Sequence, residues 1–121
     1  MTLQEVLDRI DHLKPNQYKV PDKIKWLSDL DGRIYTEILS HYEGAPEWEP
    51  YTENTNTSIQ LLVPEPYADI YEYYLAAMID RWNGEYNRYN NEIDQFNEAF
   101  SMYGNYYGKT HLSSGATRFR Y

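Results

Sequence analysis

A stripe of apolar and aromatic side chains recurs at every third or fourth position between residues 67 and 107. This spacing places side chains on one face of an α-helix. The members of the stripe are Tyr67, Tyr71, Leu75, Met78, Trp82, Tyr86, Tyr89, Ile93, Phe96, Phe100, Tyr103 and Tyr107. Polar residues occupy the positions between them. The pattern predicts a long aromatic-striped helix, and from Tyr86 onward its alternating steps are typical of a coiled-coil seam.

The length of this helix constrains the fold. A straight helix over the stripe would span roughly 60 Å, whereas a compact chain of this size has a diameter of about 35 Å. The helix must therefore bend, or another subunit must cover part of it. Asn83-Gly84 is a pair at which helices often end. Because the spacing continues through Gly84, we expect a helix that is continuous or kinked there, packed at its far end on a neighbour, rather than an antiparallel hairpin.

Two shorter amphipathic segments precede the stripe. Thr2 and Glu5 fit a capping box at the start of a first helix, which we expect to end before Pro15. Pro21 suits the first turn of a second amphipathic helix, which apolar spacing extends to about Tyr42. The predicted fold class is all-α, with residues 1–121 forming a single helical domain.

Residues 44–63 have a different composition. Prolines, acids and aromatic residues alternate first, then a polar run follows, and residues 58–63 favour a short strand. Such a pattern indicates a small β-hairpin or a long projecting loop. Trp48, Tyr51 and Ile59 are the candidate residues of this projection.

Residues 108–121 contain glycines and serines and then two arginines that alternate with two aromatic residues. We expect an extended tail. Its last four residues are suitable anchors if a partner groove exists, but the pattern favours a plain frayed terminus. These residues are Arg118, Phe119, Arg120 and Tyr121.

Charge and composition narrow the function. The net charge is −8 and the isoelectric point is about 4.7, which argues against a general nucleic-acid binder. Seven acidic residues and no basic residue lie between positions 43 and 72, whereas the chain after Gly108 carries three basic residues and no acid. This asymmetry is compatible with electrostatic docking of one part of a subunit on another, or with solvated surface. The 14 tyrosines suit either an interface that is partly wet or a core whose hydroxyls reach water.

The sequence shows no pattern that would support catalysis. Cysteine is absent, which excludes thiolate metal sites and cysteine nucleophiles. Glu37 and His41 are spaced to share a metal on a helix, but no third ligand is evident. Glycine-rich phosphate loops and nucleophile motifs are also missing. We therefore expect a protein that is not an enzyme and that uses neither a metal nor a cofactor.

No feature of the sequence directs the chain to a membrane or out of the cell. The first residues do not have the form of a secretory signal. No apolar run is long enough to span a bilayer. We therefore expect the protein to stay inside the cell, or in a particle assembled there.

One segment resembles a known family. It runs from Leu61-Leu62-Val63-Pro64-Glu65-Pro66-Tyr67 through Ile70-Tyr71-Glu72-Tyr73-Tyr74-Leu75 and Ile79-Asp80 to Asn83-Gly84-Glu85-Tyr86, Tyr89-Asn90-Asn91, Phe96-Asn97, Phe100 and Tyr106-Tyr107. The Asn-Gly-Glu and Tyr-x-Asn-Asn combination is its most distinctive part. The pattern is similar to small head–tail connector proteins of tailed bacteriophages, also called head-completion or adaptor proteins, and the resemblance extends to about His111.

The resemblance implies a subunit of a ring, often twelve-fold, in the neck of the virion. Its partners would be other copies of itself, the portal protein and the next neck or tail-completion protein. DNA would only pass through the channel, and no membrane would be involved. In this family role the tail would dock on the portal or a neighbour, and the loop would contact a neighbour. The stripe would pack subunits or helices together. The packing residues are Trp82, Tyr86, Tyr89, Ile93, Phe96 and Phe100.

A different class of protein stays open. A small helical interaction or regulatory module, monomeric or dimeric, would bend at Gly84 and bury its own stripe. The mass of the purified protein, alone and with a portal protein, separates the two hypotheses.

Overall fold

The computed structural model describes residues 1–113, and these residues form four α-helices and no strand. The all-α class is therefore confirmed for this part of the chain. The tail residues Arg118, Phe119, Arg120 and Tyr121 lie outside the described residues. The helices are α1 (Leu3–Leu13), α2 (Val20–Glu37), α3 (Asp69–Asn83) and α4 (Tyr86–Thr110), with a short 3₁₀ helix at Leu39–His41.

The first helix begins at the predicted capping box. The Thr2 hydroxyl accepts a 3.1 Å hydrogen bond from the Glu5 amide, and the Glu5 carboxylate accepts one of 2.9 Å from the Thr2 amide. Two amides that no helical carbonyl can reach are satisfied in this way. α1 ends at Leu13, ahead of Pro15, and buries its apolar face in the core.

The second helix is shorter than predicted. Pro21 lies in its first turn as expected, but the helix ends at Glu37 rather than near Tyr42. At Ile38 the backbone leaves helical geometry, with φ −120° and ψ −68°. The 3₁₀ helix that follows accounts for the apparent continuation of the pattern, since its side chains still face the core at Leu39.

The single long helix is not formed, so the prediction of a continuous or kinked helix is wrong. α3 ends at Asn83, and Gly84 adopts the left-handed conformation with φ 78°. Two backbone amides cap the C-terminus of α3. The Gly84 amide donates to the Arg81 carbonyl at 3.1 Å, and the Glu85 amide donates to the Asp80 carbonyl at 2.8 Å. This geometry favours glycine and is a common helix end.

After the turn, α4 runs back along α3. The Tyr74 and Phe96 rings lie 5.1 Å apart in the middle of the pair, and the Tyr67 and Tyr106 rings 4.6 Å apart beyond the start of α3. The two helices therefore form an antiparallel hairpin. The apolar stripe continues through the turn because its two halves pack against each other across the hairpin. Each half therefore needs apolar residues at helical spacing.

The predicted β-hairpin in residues 44–63 is also not formed. Its strand-like part pairs instead with the N-terminus: the Leu3 amide donates to the Ile59 carbonyl and the Leu61 amide to the Met1 carbonyl, both at 3.0 Å. An isolated antiparallel bridge joins Thr2 and Gln60. The β-forming sequence is thus used, but with a partner far away in the chain.

Candidate functional site

A buried carboxylate on α2 holds residues 44–63 in place. Asp31 is fully buried, and its oxygens accept hydrogen bonds from the Tyr51 hydroxyl at 2.6 Å, the Tyr71 hydroxyl at 2.7 Å and the Leu62 amide at 3.2 Å. Burial raises the pKa of Asp31, and the three hydrogen bonds act against that rise. A buried charge needs such partners to be tolerated.

The two tyrosines extend this network to the backbone. The Val63 amide donates to the Tyr71 oxygen at 2.8 Å, and the Tyr51 amide donates to the Ser28 hydroxyl at 2.9 Å. Burial and the neighbouring Asp31 charge raise the pKa of both tyrosines, so they remain protonated donors. The segment is thereby fastened to α2 at Tyr51, and to α2 and α3 at its C-terminal end, Leu62 and Val63.

The loop residues predicted to project lie against the helices instead. Tyr51 is buried, and Trp48 and Ile59 are half-buried. The Trp48 ring stacks on Tyr35 at 6.4 Å and covers Gly32 so closely that a Cβ there would lie 2.8 Å from the indole. Trp48 and Tyr51 therefore pack against α2.

This arrangement leaves a groove beside Trp48, which we call the acidic groove. It encloses about 520 Å³ and has no basic residue in its lining. Its lining residues are Glu47, Trp48, Glu49, Pro50, Tyr51, Thr55, Ile59, Gln60 and Leu62. The indole Nε1 of Trp48 is buried and has no hydrogen-bond partner among the described residues.

The residues predicted to pack subunits or helices fall into two groups. Phe96 is fully buried, while Tyr89, Ile93 and Phe100 are half-buried. The Arg33 guanidinium lies 4.8 Å from the centre of the Phe100 ring. Most of this seam is therefore covered by the chain's own α2 and α3.

Trp82 and Tyr86 are the exceptions, and we call them the hairpin tip. They flank the Gly84 turn and are 63% and 65% exposed. Trp82 also borders a shallow cavity of about 280 Å³ whose other lining residues include Tyr18 and Trp26. Two large aromatic side chains left in solvent at one end of a small protein indicate an interaction surface.

Comparison with known proteins finds no match. Neither the family models, nor the curated proteins, nor the solved structures gave a match to this chain.

A charged cluster that the sequence pattern did not reveal links α1, α3 and α4. The Lys14 ammonium lies 2.8 Å from Asp80 and 3.1 Å from Glu92. Burial and a hydrogen bond with Asp80 raise the pKa of Glu92 to about 7. Burial alone would raise the pKa of Asp80 too, but hydrogen bonds with Glu92 and Lys14 lower it overall. In sequence these carboxylates belong to the polar back of the stripe, which gave no sign that they meet.

Of the two residues spaced to share a metal, Glu37 forms an ion pair with Arg33 at 2.7 Å. Within residues 1–113, no three acidic or histidine side chains converge in a way that could hold a metal ion. Over the same residues, none of the helices combines the length and apolar character needed to cross a membrane.

The described chain ends beside the start of the loop. Ser113 forms an antiparallel bridge with Tyr42, and the Glu43 amide donates to the Leu112 carbonyl at 2.8 Å. The last described residue, Ser113, therefore lies beside Tyr42, just before the start of residues 44–63.

Proposed function

We propose that this protein is a structural subunit of a tailed-phage virion, a head–tail connector or adaptor that forms a ring beneath the portal. The observation that carries the proposal is the exposure of Trp82 and Tyr86 at the hairpin tip. Both residues lie in the part of the sequence that resembles the connector family.

The energetics of assembly support this role for the tip. Burying a large aromatic side chain contributes about 1.5–3 kcal/mol from its apolar area. A ring repeats such a contact at every interface, so a modest patch on each subunit is sufficient. Trp and Tyr are also the residue types that most often carry interface energy.

The charge of the chain suits a channel through which DNA passes. A net charge of −8 leaves few cations to hold phosphates, and like charges leave no contacts to break as the strand moves. In this proposal the ring, twelve-fold as in the family, lies in the neck of the virion and is assembled in the host cytoplasm. It binds the portal on one side and the next neck or tail-completion protein on the other.

The test is assembly with a portal protein, measured by analytical ultracentrifugation and negative-stain electron microscopy. We expect a ring on the portal with the parent chain and weakened assembly with the double variant Trp82→Ser/Tyr86→Ser. Met102→Ser is the matched control, because Met102 is 55% exposed but lies far along α4. A double variant that assembles like the parent would contradict the role of the tip.

A second candidate function has an observation in its favour. The hairpin buries Phe96, Tyr103 and Tyr107 within one chain, as expected for a small monomeric or dimeric helical interaction or regulatory module. If the chain stays monomeric or dimeric at all concentrations and does not bind the portal protein, the result supports this alternative over the ring.

A further inference from the structure

We propose that the acidic groove of one copy binds the C-terminal segment, residues 117–121, of a neighbouring copy. The inference rests on the proposed function, because it supplies a second contact between subunits of the same ring. It assigns a partner to a groove that the hairpin tip does not use.

The charges of the two parts are complementary. Glu47 and Glu49 line the groove, and no basic residue does. The segment carries Arg118 and Arg120, and no acid follows Gly108. Guanidinium groups pair with carboxylates through short, charge-assisted hydrogen bonds, which are stronger than neutral ones.

The spacing of the groups also agrees. In an extended peptide, side chains two residues apart share one face. Bound in that form, the segment would present Arg118 and Arg120 on one side and Phe119 on the other. The groove offers both kinds of partner: Glu47 and Glu49 supply carboxylates, and Trp48, Ile59 and Leu62 supply apolar surface. An extended segment could therefore find a partner for its arginines and for its aromatic rings in the same groove.

The groove is held in shape without the segment. Tyr51 is tied to Asp31 on α2 at 2.6 Å, and the Leu62 amide donates to the same carboxylate at 3.2 Å. Both Tyr51 and Leu62 also line the groove. A pre-formed groove does not lose the conformational freedom that ordering a loose loop would cost.

The direction of the chain favours a neighbouring copy over the chain's own groove. Ser113 pairs antiparallel with Tyr42, so the backbone at Ser113 runs opposite to residues 42–43. Residues 43–47 lead along the chain toward Glu47, which is opposite to the direction of the backbone at Ser113. At Ser113, the last described residue, the backbone therefore runs away from Glu47.

Photo-crosslinking of the full-length chain tests the proposal. Phe119 is replaced with p-benzoylphenylalanine, and natural-abundance and ¹⁵N-labelled copies are mixed before irradiation. We expect cross-links from position 119 to residues 45–62 in which one peptide is light and the other heavy. Cross-links within a single isotope would show that the chain binds its own tail, and cross-links elsewhere would show a different surface; either result overturns the proposal.

A charge variant makes the test specific. Glu47→Gln/Glu49→Gln should reduce the mixed-isotope cross-links about tenfold or more, because two charge-assisted pairs are lost. Asp94→Asn/Glu98→Gln removes two exposed carboxylates from α4 and should leave the yield unchanged. Circular dichroism checks that both variants stay helical. Equal yields from the two variants would overturn the pairing.

Failure of this inference is distinguishable from failure of the proposed function. Normal ring assembly with cross-links away from the groove overturns the tail contact alone. The chain could instead give mixed-isotope cross-links to the groove and yet never join a portal complex. That result would support the tail contact and contradict the proposed ring.

Discussion

Tyr71 on α3 donates a 2.7 Å hydrogen bond to Asp31 on α2, and both side chains are fully buried. The same tyrosine oxygen accepts the Val63 amide at 2.8 Å. One phenol thus connects two helices and the long loop, and the carboxylate has no access to solvent. Such a centre is stable only while all its hydrogen bonds are made.

We predict that Asp31→Ala lowers the free energy of unfolding by about 3 kcal/mol or more, because it leaves two buried hydroxyls and an amide without their acceptor. Urea denaturation followed by circular dichroism measures this. Asp29→Ala is the control: Asp29 is exposed and pairs with Lys25 one turn away, so its loss should cost at most about 0.5 kcal/mol. Similar losses in the two variants would contradict the importance of the network.

We predict that Phe96→Ala lowers the free energy of unfolding by about 3–5 kcal/mol, because a fully buried ring is removed between α3 and α4. Phe96→Asp should be worse, since it also buries a charge. Phe100→Ala, at a half-buried position of the same helix, should cost clearly less. Thermal unfolding of the three variants gives the order, and an equal effect at both positions would refute the assigned packing of α4.

We predict that Gly84→Ala destabilises the chain by about 1 kcal/mol, because alanine is strained at φ 78°. No atom lies within 4 Å of the added Cβ, so the effect reports backbone conformation alone. Gly84→Asn should cost less, since asparagine tolerates this region better. Urea midpoints test the order, and an alanine variant as stable as the parent would argue against the observed turn.

We predict that Glu92 makes stability fall as pH rises between about 4.5 and 7. Its pKa is about 7 in the folded protein against an ordinary value of 4.5, so the folded state holds a proton that the unfolded state has released. Glu92→Gln should match the parent near pH 4.5 and melt roughly 3 °C higher above pH 7. Melting temperatures across this range test the prediction.

The control for this pH effect is Glu98→Gln, which changes an exposed carboxylate on the same helix. It should leave the pH dependence of the parent unchanged. The prediction fails if the Glu92→Gln curve runs parallel to the parent curve over the whole range.

The local features of the fold could be read from the sequence. The capping box at Thr2, the proline start of α2 and the helical nature of the stripe depend on neighbouring residues only. The reversal at Gly84 could not be decided in this way, because the residue spacing in a hairpin is the same as in one helix. Long-range contacts, such as those of Tyr74 with Phe96 and of Tyr67 with Tyr106, distinguish the two.

The candidate surfaces were predictable only in part. The composition of residues 44–63 marked Trp48 and Tyr51 as unusual, but their position against α2 depends on a carboxylate 20 residues from Tyr51. A signal for that carboxylate was present: Asp31 occupies an apolar position of the α2 stripe, between Leu27 and Ile34. An acid at such a position means either that the helix face is wrongly predicted or that buried donors form hydrogen bonds with the carboxylate. Here the carboxylate accepts three such hydrogen bonds.

The two-residue connection at Gly84-Glu85 also has a kinetic consequence. Joining the ends of α3 and α4 closes a very short loop, whereas the Asp31 network must bring together residues 31, 51, 62 and 71, at a larger entropic cost. We expect the helical pair to nucleate folding from its turn and the loop to dock late. The surface that forms first is then the one that carries Trp82 and Tyr86, before the acidic groove exists.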